Sequence, residues 1–406
     1  MSLTLLHTSD WHLGHELNGE PREAEHDLFL DWLHAMLGAQ DVDVLVVTGD
    51  IYDVANPPVS AMRRLFGFLQ RACASYPALQ VVILGGNHDS AMRIDLPAAL
   101  LGAGQVHFVG ALPRLDGAPD HARMLIPMHD RAGDVRAWLA AVPFCRPADL
   151  GRESLASLYA GVQEAGLAKA QGLPLVVTGH LHVAGGSVSE MSERRIVIGG
   201  EEAEAASLFD ARTAYVALGH LHRPQDISGA TRIRYAGSPF PLSATERNYR
   251  HSVSLVRLGA ETGAPCEVDT LPIPRPAAFL AIGPSPLEDA VAQIEALDTD
   301  TDLPRTLWPF IDIKVSVTGP EPGLAPRILD ALDGKALRLV SLKRVHARAQ
   351  DAATARSPAA DLDELRPEEV FAQLYTRQYP GDGPPEDLAR AFAQLLVETQ
   401  ADGEDA

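Results

Sequence analysis

The chain has 406 residues, 46% of them apolar, and a formal net charge of -20. That length can bury one large core with a smaller module beside it, but the charge is wrong for a protein that grips DNA by itself, because Lys and Arg neutralising phosphates supply most such affinity. Three scattered cysteines, Cys73, Cys145 and Cys266, exclude a disulfide framework and a Cys-x-x-Cys metal pair and suit a reducing cytoplasm.

Met1-Ser-Leu-Thr-Leu-Leu has no basic region and leads directly into a polar cluster, so no signal peptide is expected, and no uncharged apolar stretch is long enough to span a bilayer. Apolar runs at 3–7, 42–47 and 79–84 are short, β-branched and bounded by glycine, as buried strands should be. The first ends in Asp10-Trp-His12, the second in Gly49-Asp50, the third in Gly86-Asn87-His88-Asp89. Helical spacings fill the gaps, with Phe29, Leu30, Leu33 and Leu37 in one and Met62, Leu65, Phe66 and Leu69 in the next. Runs at 175–177 and 213–218 end in Gly179-His180 and Gly219-His220-Leu-His222. Strand, helix, strand order predicts a largely parallel, layered α/β core whose ligands gather outside the carboxyl ends of the strands. All five clusters then land on one edge.

Strand-like segments 252–257 and 266–271 close a first domain of residues 1–274, and Pro272-Ile-Pro-Arg-Pro276 reads as a hinge. Strand 279–282, helix 287–297, strand 310–317, helix 324–332 and strand 337–345 make a small α/β module within 275–348. The last region, 349–406, opens with a linker at 350–360, and residues 351–406 carry 13 acidic and 4 basic side chains. Pro367 followed by Glu368 and Glu369 marks a helix start. Val370, Phe371, Leu374 and Tyr375 form one apolar stripe, and Leu388, Phe392, Leu395 and Leu396 another. Such stripes after a linker suit a partner's groove better than their own core.

Asp10 and His12, two apart on an extended segment, would share a face and hold one cation. Asp50, with two oxygens at a strand end, is the natural bridge to a second cation, and Asn87 offers an amide ligand. Carboxylate, imidazole and amide form a donor set for Mn, Fe or Mg-like octahedral sites rather than a thiolate zinc site. The glycine before each of Asp50, His180 and His220 removes a Cβ where backbone and metal must approach closely. Two ions about 3.5–4 Å apart clamp the attacking and leaving oxygens of an in-line displacement at phosphorus. His88 reads as an uncoordinated acid for the leaving oxygen, with Asp89 fixing its tautomer. Gly-His-Leu-His occurs twice, and spacing leaves open which of His180, His182, His220 and His222 bind metal. His7, His34, His107, His121, His129 and His346 carry no pattern and read as ordinary core-edge or surface residues. Singly, each cluster is common in α/β proteins; all five in this order point to a dinuclear phosphoesterase.

His7-Thr-Ser-Asp-Trp-His-Leu-Gly14, Arg22-Glu-Ala-Glu-His26, Gly49-Asp-Ile-Tyr-Asp53, Gly86-Asn-His-Asp-Ser90, Ala217-Leu-Gly-His-Leu-His222 and Tyr235-Ala-Gly-Ser-Pro-Phe-Pro-Leu-Ser243 resemble the SbcD family. These are the nuclease subunits of bacterial SbcC and SbcD complexes, related to Mre-type nucleases within the calcineurin-like superfamily. The resemblance runs from Leu3 to about Val256 and, more weakly, to near Glu398. It implies a layered αββα metallophosphoesterase sandwich with a small α/β capping domain and C-terminal helices. It implies one Mn2+ on Asp10, His12, Asp50 and His222 and another on Asp50, Asn87, His180 and His220, with Mg2+ or Fe2+ as alternatives, and His88 as the catalytic histidine. His182 matches no ligand. Asp53 stands where archaeal relatives carry a histidine, and no role is assigned to it.

The resemblance further implies a double-strand 3′-to-5′ exonuclease and single-strand and hairpin endonuclease in DNA replication, recombination and repair. Its ATP dependence would come from an SbcC-like ATPase, with the tail helices docked at the base of that partner's coiled coil, because this sequence has no Walker-type loop. A homodimer within a cytoplasmic heterotetramer, without membrane contact, is expected. The acidic balance agrees with a partner supplying DNA-binding surface. Two other readings share the five clusters: a stand-alone metallophosphoesterase for small phosphodiesters or phosphoproteins, and a non-enzymatic adaptor for the ATPase. The tail helices argue against the first, and the complete ligand set with His88 against the second.

Overall fold

The computed structural model describes residues 3–98, 104–189, 203–299, 302–319 and 321–346, with six positions beyond them, 371, 375, 385, 388, 390 and 392. Two compact units make up the chain, residues 1–346 and 347–406.

Two six-stranded sheets form the body of the first unit. One runs in the order Glu267–Pro272, Ser252–Arg257, Thr4–Thr8, Val44–Thr48, Gln80–Leu84, Val106–Val109. Its last four strands are parallel, and the other two are antiparallel additions at the edge. The second has the order Gln225–Ile227, Ile233–Tyr235, Tyr215–Gly219, Leu175–His180, Val135–Ala140, Leu125–His129, with four parallel strands between antiparallel edges.

Alternation along each strand explains the layering. Leu45, Val47, Val81 and Ile83 face helices Glu23–Ala39 and Val59–Ser75 through Phe29, Leu33, Leu65 and Phe68. Val44, Val46, Val82 and Leu84 face the second sheet, where they meet Val176 and Ala217. On the far side Val177, Val216 and Leu218 pack on Leu158 and Val162 of helix Leu155–Ala170. Strands apolar on both faces belong between two covering layers, and each fully buried Val or Leu contributes about 1.5–3 kcal/mol. The expected αββα sandwich is therefore present, with more antiparallel edge than the sequence suggested. One residue of the predicted stripes is displaced: Phe66 is 41% exposed, and Phe68 is buried in its stead, because the inward face is 61, 65, 68, 69 and 72.

A parallel sheet of Phe279–Ser285, Phe310–Val317 and Arg338–His346 with helices Leu287–Glu295 and Leu324–Leu332 follows, in the predicted order. Ile282, Ile294, Ile311, Ile313 and Ile328 fill its core. The boundary expected near residue 274 falls inside one compact unit. Leu17, Phe279, Phe310 and Val340 share a cluster, and the Arg22 guanidinium, paired with Glu25, lies between the Phe240 and Phe310 rings at 4.6 and 4.7 Å.

Of the tail, Phe371, Tyr375, Leu388 and Phe392 are helical. The Phe371 and Phe392 rings stack, centroids 4.2 Å apart and planes 9° from parallel, so the two predicted stripes face each other at this pair. Val370, Leu374, Leu395, Leu396, the helix start at Pro367 and the linker at 350–360 lie outside the described residues. Among the described residues, no helix is long and apolar enough to cross a membrane.

Candidate metal centre

All five clusters sit at the carboxyl ends of strands Thr4–Thr8, Val44–Thr48, Gln80–Leu84, Leu175–His180 and Tyr215–Gly219. The first two sheets thus contribute to one site. Asp10 and His12 are not on an extended segment as expected: φ is 52° at Asp10, 46° at His12, 48° at Asp50 and 101° at His220. Left-handed backbone at non-glycine residues costs on the order of 1–3 kcal/mol each and gathers at functional sites. Tertiary hydrogen bonds hold it here, from Asp10 N–H to Gly49 O at 3.1 Å and from His12 N–H to Asp50 O at 2.9 Å.

At the glycines before Asp50, His180 and His220 a Cβ would meet protein atoms. A Cβ at Gly219 would lie 1.8 Å from Thr48 O, and one at Gly49 would lie 2.2 Å from His180 Nδ1. At Gly179 it would meet Leu181 and the Tyr159 hydroxyl, at 2.3 and 2.4 Å. A Cβ at Gly86, which sequence reasoning did not argue for, would strike the Asp50 backbone and carboxylate at 2.2 Å.

Three overlapping groups bring donor atoms within 4.8 Å of one another: Asp10, His12 and His222; His12, Asp50 and His88; Asp10, Asp50 and His180. Asp10, His12 and Asp50 each belong to two of them, so the grouping does not single out Asp50, the expected bridge. Asn87 Oδ1 lies 2.9 Å from His180 Nε2 and 3.2 Å from His220 Nδ1. All seven predicted ligands therefore converge, whereas His182 joins none of these groups among the described residues.

Partners behind the histidines set which nitrogen each presents. His12 Nδ1 lies 3.2 Å from Asp53 Oδ1, His222 Nδ1 lies 2.8 Å from Glu246 Oε1, and His180 Nδ1 donates to Thr48 O at 2.9 Å. Each acceptor keeps the proton on Nδ1 and leaves Nε2 for the site, the usual arrangement behind metal-binding imidazoles. His12 Nε2 is buried and has no hydrogen-bond partner, a lone pair that a cation would satisfy. Asp10 accepts from Ser9 Oγ at 2.6 Å and from His220 N–H at 2.9 Å, which fixes its plane. Burial acts to lower His180, but the Asp50 and Asp10 carboxylates outweigh it and lift this imidazole to about 9. Burial and the adjacent His180 push His220 down to about 3, so the two rings share positive charge unequally beside one carboxylate. The donors present are carboxylate, imidazole and amide, and they fit two hard-to-borderline cations.

Asp89 does not orient His88. Its carboxylate accepts backbone N–H groups from Ile51, Tyr52 and Gly86 at 3.0, 2.9 and 2.9 Å. These bonds engage both oxygens with backbone donors, and no hydrogen bond joins the carboxylate to the His88 ring among the described residues. His88 Nδ1 donates instead to the Asp53 carbonyl at 2.8 Å, and its backbone N–H bonds Asp50 Oδ1 at 2.8 Å. Sequence reasoning assigned no role to Asp53 and did not find Glu246. A carboxylate three residues past Asp50 was a signal for the first, but Glu246, 24 residues from His222, gave none.

A cleft of about 400 Å³ opens from His12, Asp53, His88 and His222 toward Lys314 and Lys343 of the three-stranded sheet.

The calcineurin-like phosphoesterase family model matches residues 3–224, and one described as the type 5 capsule protein repressor C-terminal domain matches residues 277–379. The SbcD subunit of the SbcCD nuclease of Rhodobacter capsulatus is 40% identical over 390 residues, 92% of this chain and 94% of the relative. That of Escherichia coli K12 is 30% identical over 415 residues, 97% of this chain and 98% of the relative. The Bacillus subtilis protein of the same name is 31% identical over 270 residues, 63% of this chain and 66% of the relative. Similarity along nearly the whole length, meeting a two-ion donor set at the strand ends, makes the chain a member of the SbcD family of calcineurin-like phosphoesterases and a metal-dependent nuclease.

Proposed function

We propose that the chain is the DNA-cutting subunit of an SbcC and SbcD-type complex, an exonuclease on double-strand ends and an endonuclease on single strands and hairpins. The observation that carries the reading is the buried Nε2 of His12, which has no hydrogen-bond partner and lies 3.6 Å from Asp50 Oδ2 amid further carboxylates and imidazoles. Asp10, His12, Asp50 and His222 would hold one Mn2+, and Asp50, Asn87, His180 and His220 the other. When bound, the pair supplies positive charge to the phosphate oxygens and lowers the pKa of an attacking water.

The chain's own residues do the rest. Asp53 and Glu246 hold His12 and His222 with Nε2 toward the site. His88, with Nδ1–H committed to the Asp53 carbonyl, has Nε2 available to carry a proton to the leaving oxygen. Asp89 ties the loop after Gln80–Leu84 to the loop after Val44–Thr48, which positions His88 without touching it.

Residues 1–274 would be the nuclease domain, 275–348 the capping domain, and 349–406 the acidic linker and helices that dock on the coiled-coil base of an SbcC-like ATPase. Two such chains would form a dimer within a cytoplasmic heterotetramer. A net charge of -20 supports a partner that supplies DNA-binding surface, and ATP hydrolysis would be that partner's because this sequence has no Walker-type loop.

Mn2+-dependent cleavage of a labelled DNA hairpin, with and without the ATPase and ATP, tests this reading against Asp50→Ala. Cleavage that needs Asp50 and rises with partner and ATP is the expected result. Hydrolysis of a small phosphodiester with no DNA cleavage in any combination would replace it with a stand-alone phosphoesterase.

A further inference from the structure

Beside the metal cleft lies a second, smaller pocket of about 180 Å³, bordered by Phe240, Tyr249, Arg250, His251, Ile273 and Arg275. It is smaller than the roughly 300–1,000 Å³ clefts that enclose whole small molecules, a size that suits one ring of a longer ligand. Arg250 and Arg275 are exposed, and the Arg223 guanidinium stands 5.8 Å from the centre of the Tyr249 ring. Arg275 donates to Tyr249 O at 3.3 Å. Among the described residues, none of these three arginines has a carboxylate within ion-pair distance, in contrast to Arg22, Arg64, Arg131, Arg212 and Arg327. Arg223 over the ring and Arg275 on the backbone oxygen place two cations around Tyr249.

His251 adds an independent observation. It is 6% exposed, its Nδ1 donates to Ser238 O at 2.8 Å, and its buried Nε2 has no hydrogen-bond partner. A ring that donates through Nδ1 offers Nε2 as an acceptor, and among the described residues no N–H or O–H reaches it. The pocket is tied to the site through Ser238, whose N–H donates to His222 O at 3.1 Å and whose carbonyl accepts from His251 Nδ1 at 2.8 Å. Arg223 follows His222 in the chain, and Arg247, two residues before Tyr249, borders the metal cleft with His88 and His222.

We propose that this pocket is a second subsite for the substrate strand. It takes one nucleotide of the strand whose phosphodiester occupies the metal cleft, with the base against Tyr249, flanking phosphates among Arg223, Arg250 and Arg275, and a base or sugar donor on His251 Nε2. Stacking on an aromatic side chain beside arginines is the chemistry that binds unpaired nucleotides without sequence preference. The subsite rests on the reading of DNA as substrate. It makes unpaired nucleotides the form of DNA gripped beside the cut.

The test uses the full chain with Mn2+ and two substrates, a labelled single-stranded oligonucleotide and bis(p-nitrophenyl) phosphate, which is too small to span both sites. The surface pair Arg250→Ala and Arg275→Ala should raise KM for the oligonucleotide about tenfold and lower the salt slope of its binding by about 1.4, two phosphates at about 0.7 each. Turnover at saturation and hydrolysis of the small diester should stay at wild-type values. Tyr249→Ala should raise KM about tenfold or more without changing the salt slope. Wild-type KM and salt slope in the variants would overturn the subsite alone, as would equal losses on both substrates. Unchanged oligonucleotide binding with weakened association to the ATPase would overturn it in favour of a protein contact. A wild-type chain that cuts only the small diester would overturn the DNA reading and the subsite together.

Discussion

Glu246 Oε1 lies 2.8 Å from His222 Nδ1, and Glu246 Oε2 accepts the Leu242 N–H at 2.7 Å, with the carboxylate fully buried. A carboxylate only accepts, so it answers two donors at once and keeps the His222 proton on Nδ1. Glutamine cannot replace it, because its NH2 must face either the ring N–H or the Leu242 N–H. Glu246→Gln should weaken Mn2+ binding by about 10–100-fold while leaving the far-UV spectrum intact. Titration calorimetry reads the affinity. A wild-type value would show that Glu246 merely braces the loop.

His88 and Asp89 should separate in the laboratory as they do in space. His88→Ala is expected to lower kcat on DNA by about 10²–10⁴-fold, the usual worth of a general acid, with bound metal unchanged by elemental analysis. Asp89→Ala strands three backbone N–H groups, each costing about 1–3 kcal/mol when buried without a partner. Its defect should therefore appear first in urea unfolding. Full stability with a kcat loss matching His88→Ala would restore the tautomer-fixing role expected from the sequence.

Two glycines make opposite predictions from the same substitution. At Gly219 a Cβ would collide with the Thr48 carbonyl and crowd His180, 1.8 and 2.9 Å away, and Gly219→Ala should cost upwards of about 3 kcal/mol. Gly67 lies in helix Val59–Ser75 with nothing within 4 Å of a Cβ. Gly67→Ala should stabilise by about 0.5–1 kcal/mol through helix propensity alone. Urea midpoints of the two variants on either side of wild type are the expected outcome.

The strands that carry the site were legible because each is short and apolar and, in all but Thr4–Thr8, has glycine at or next to its carboxyl end, so that pattern and cluster reinforce one another. The antiparallel edge strands Leu125–His129 and Gln225–Ile227 were not, since Pro127 interrupts one and the other is three residues long. The convergence of Asp10, Asp50, His180, His220 and His222 followed from strand order, but how they converge did not. Asp10 and His12 meet through left-handed backbone, a conformation no two-residue spacing encodes. The partners that orient the imidazoles, Asp53, Glu246 and the Thr48 carbonyl, depend on tertiary proximity. Asp89 was misread for the same reason: its sequence neighbour is His88, but its hydrogen-bond partners include Ile51 and Tyr52, 38 and 37 residues earlier.

His7 joins the two sheets at their centre, with Nδ1 3.0 Å from the Tyr215 hydroxyl and Nε2 3.0 Å from Thr48 Oγ1. Two hydroxyls can serve a neutral imidazole as one donor and one acceptor, whereas a cation there would meet no carboxylate. Complete burial, with Arg234 nearby, lowers the ring to about 3. The unfolded chain, near pKa 6.5, then binds more protons than the folded one between those values, so stability rises with pH across this window. The contribution is complete above about pH 6.5 and is lost as pH falls, by on the order of 3 kcal/mol at pH 4. Urea unfolding of the metal-free protein between pH 7 and 4 should therefore be shallower in pH for His7→Gln than for wild type, even though the variant starts less stable at pH 7. Parallel pH profiles would mean that the ring takes up its proton without leaving the sheet interface, and that acid sensitivity arises elsewhere.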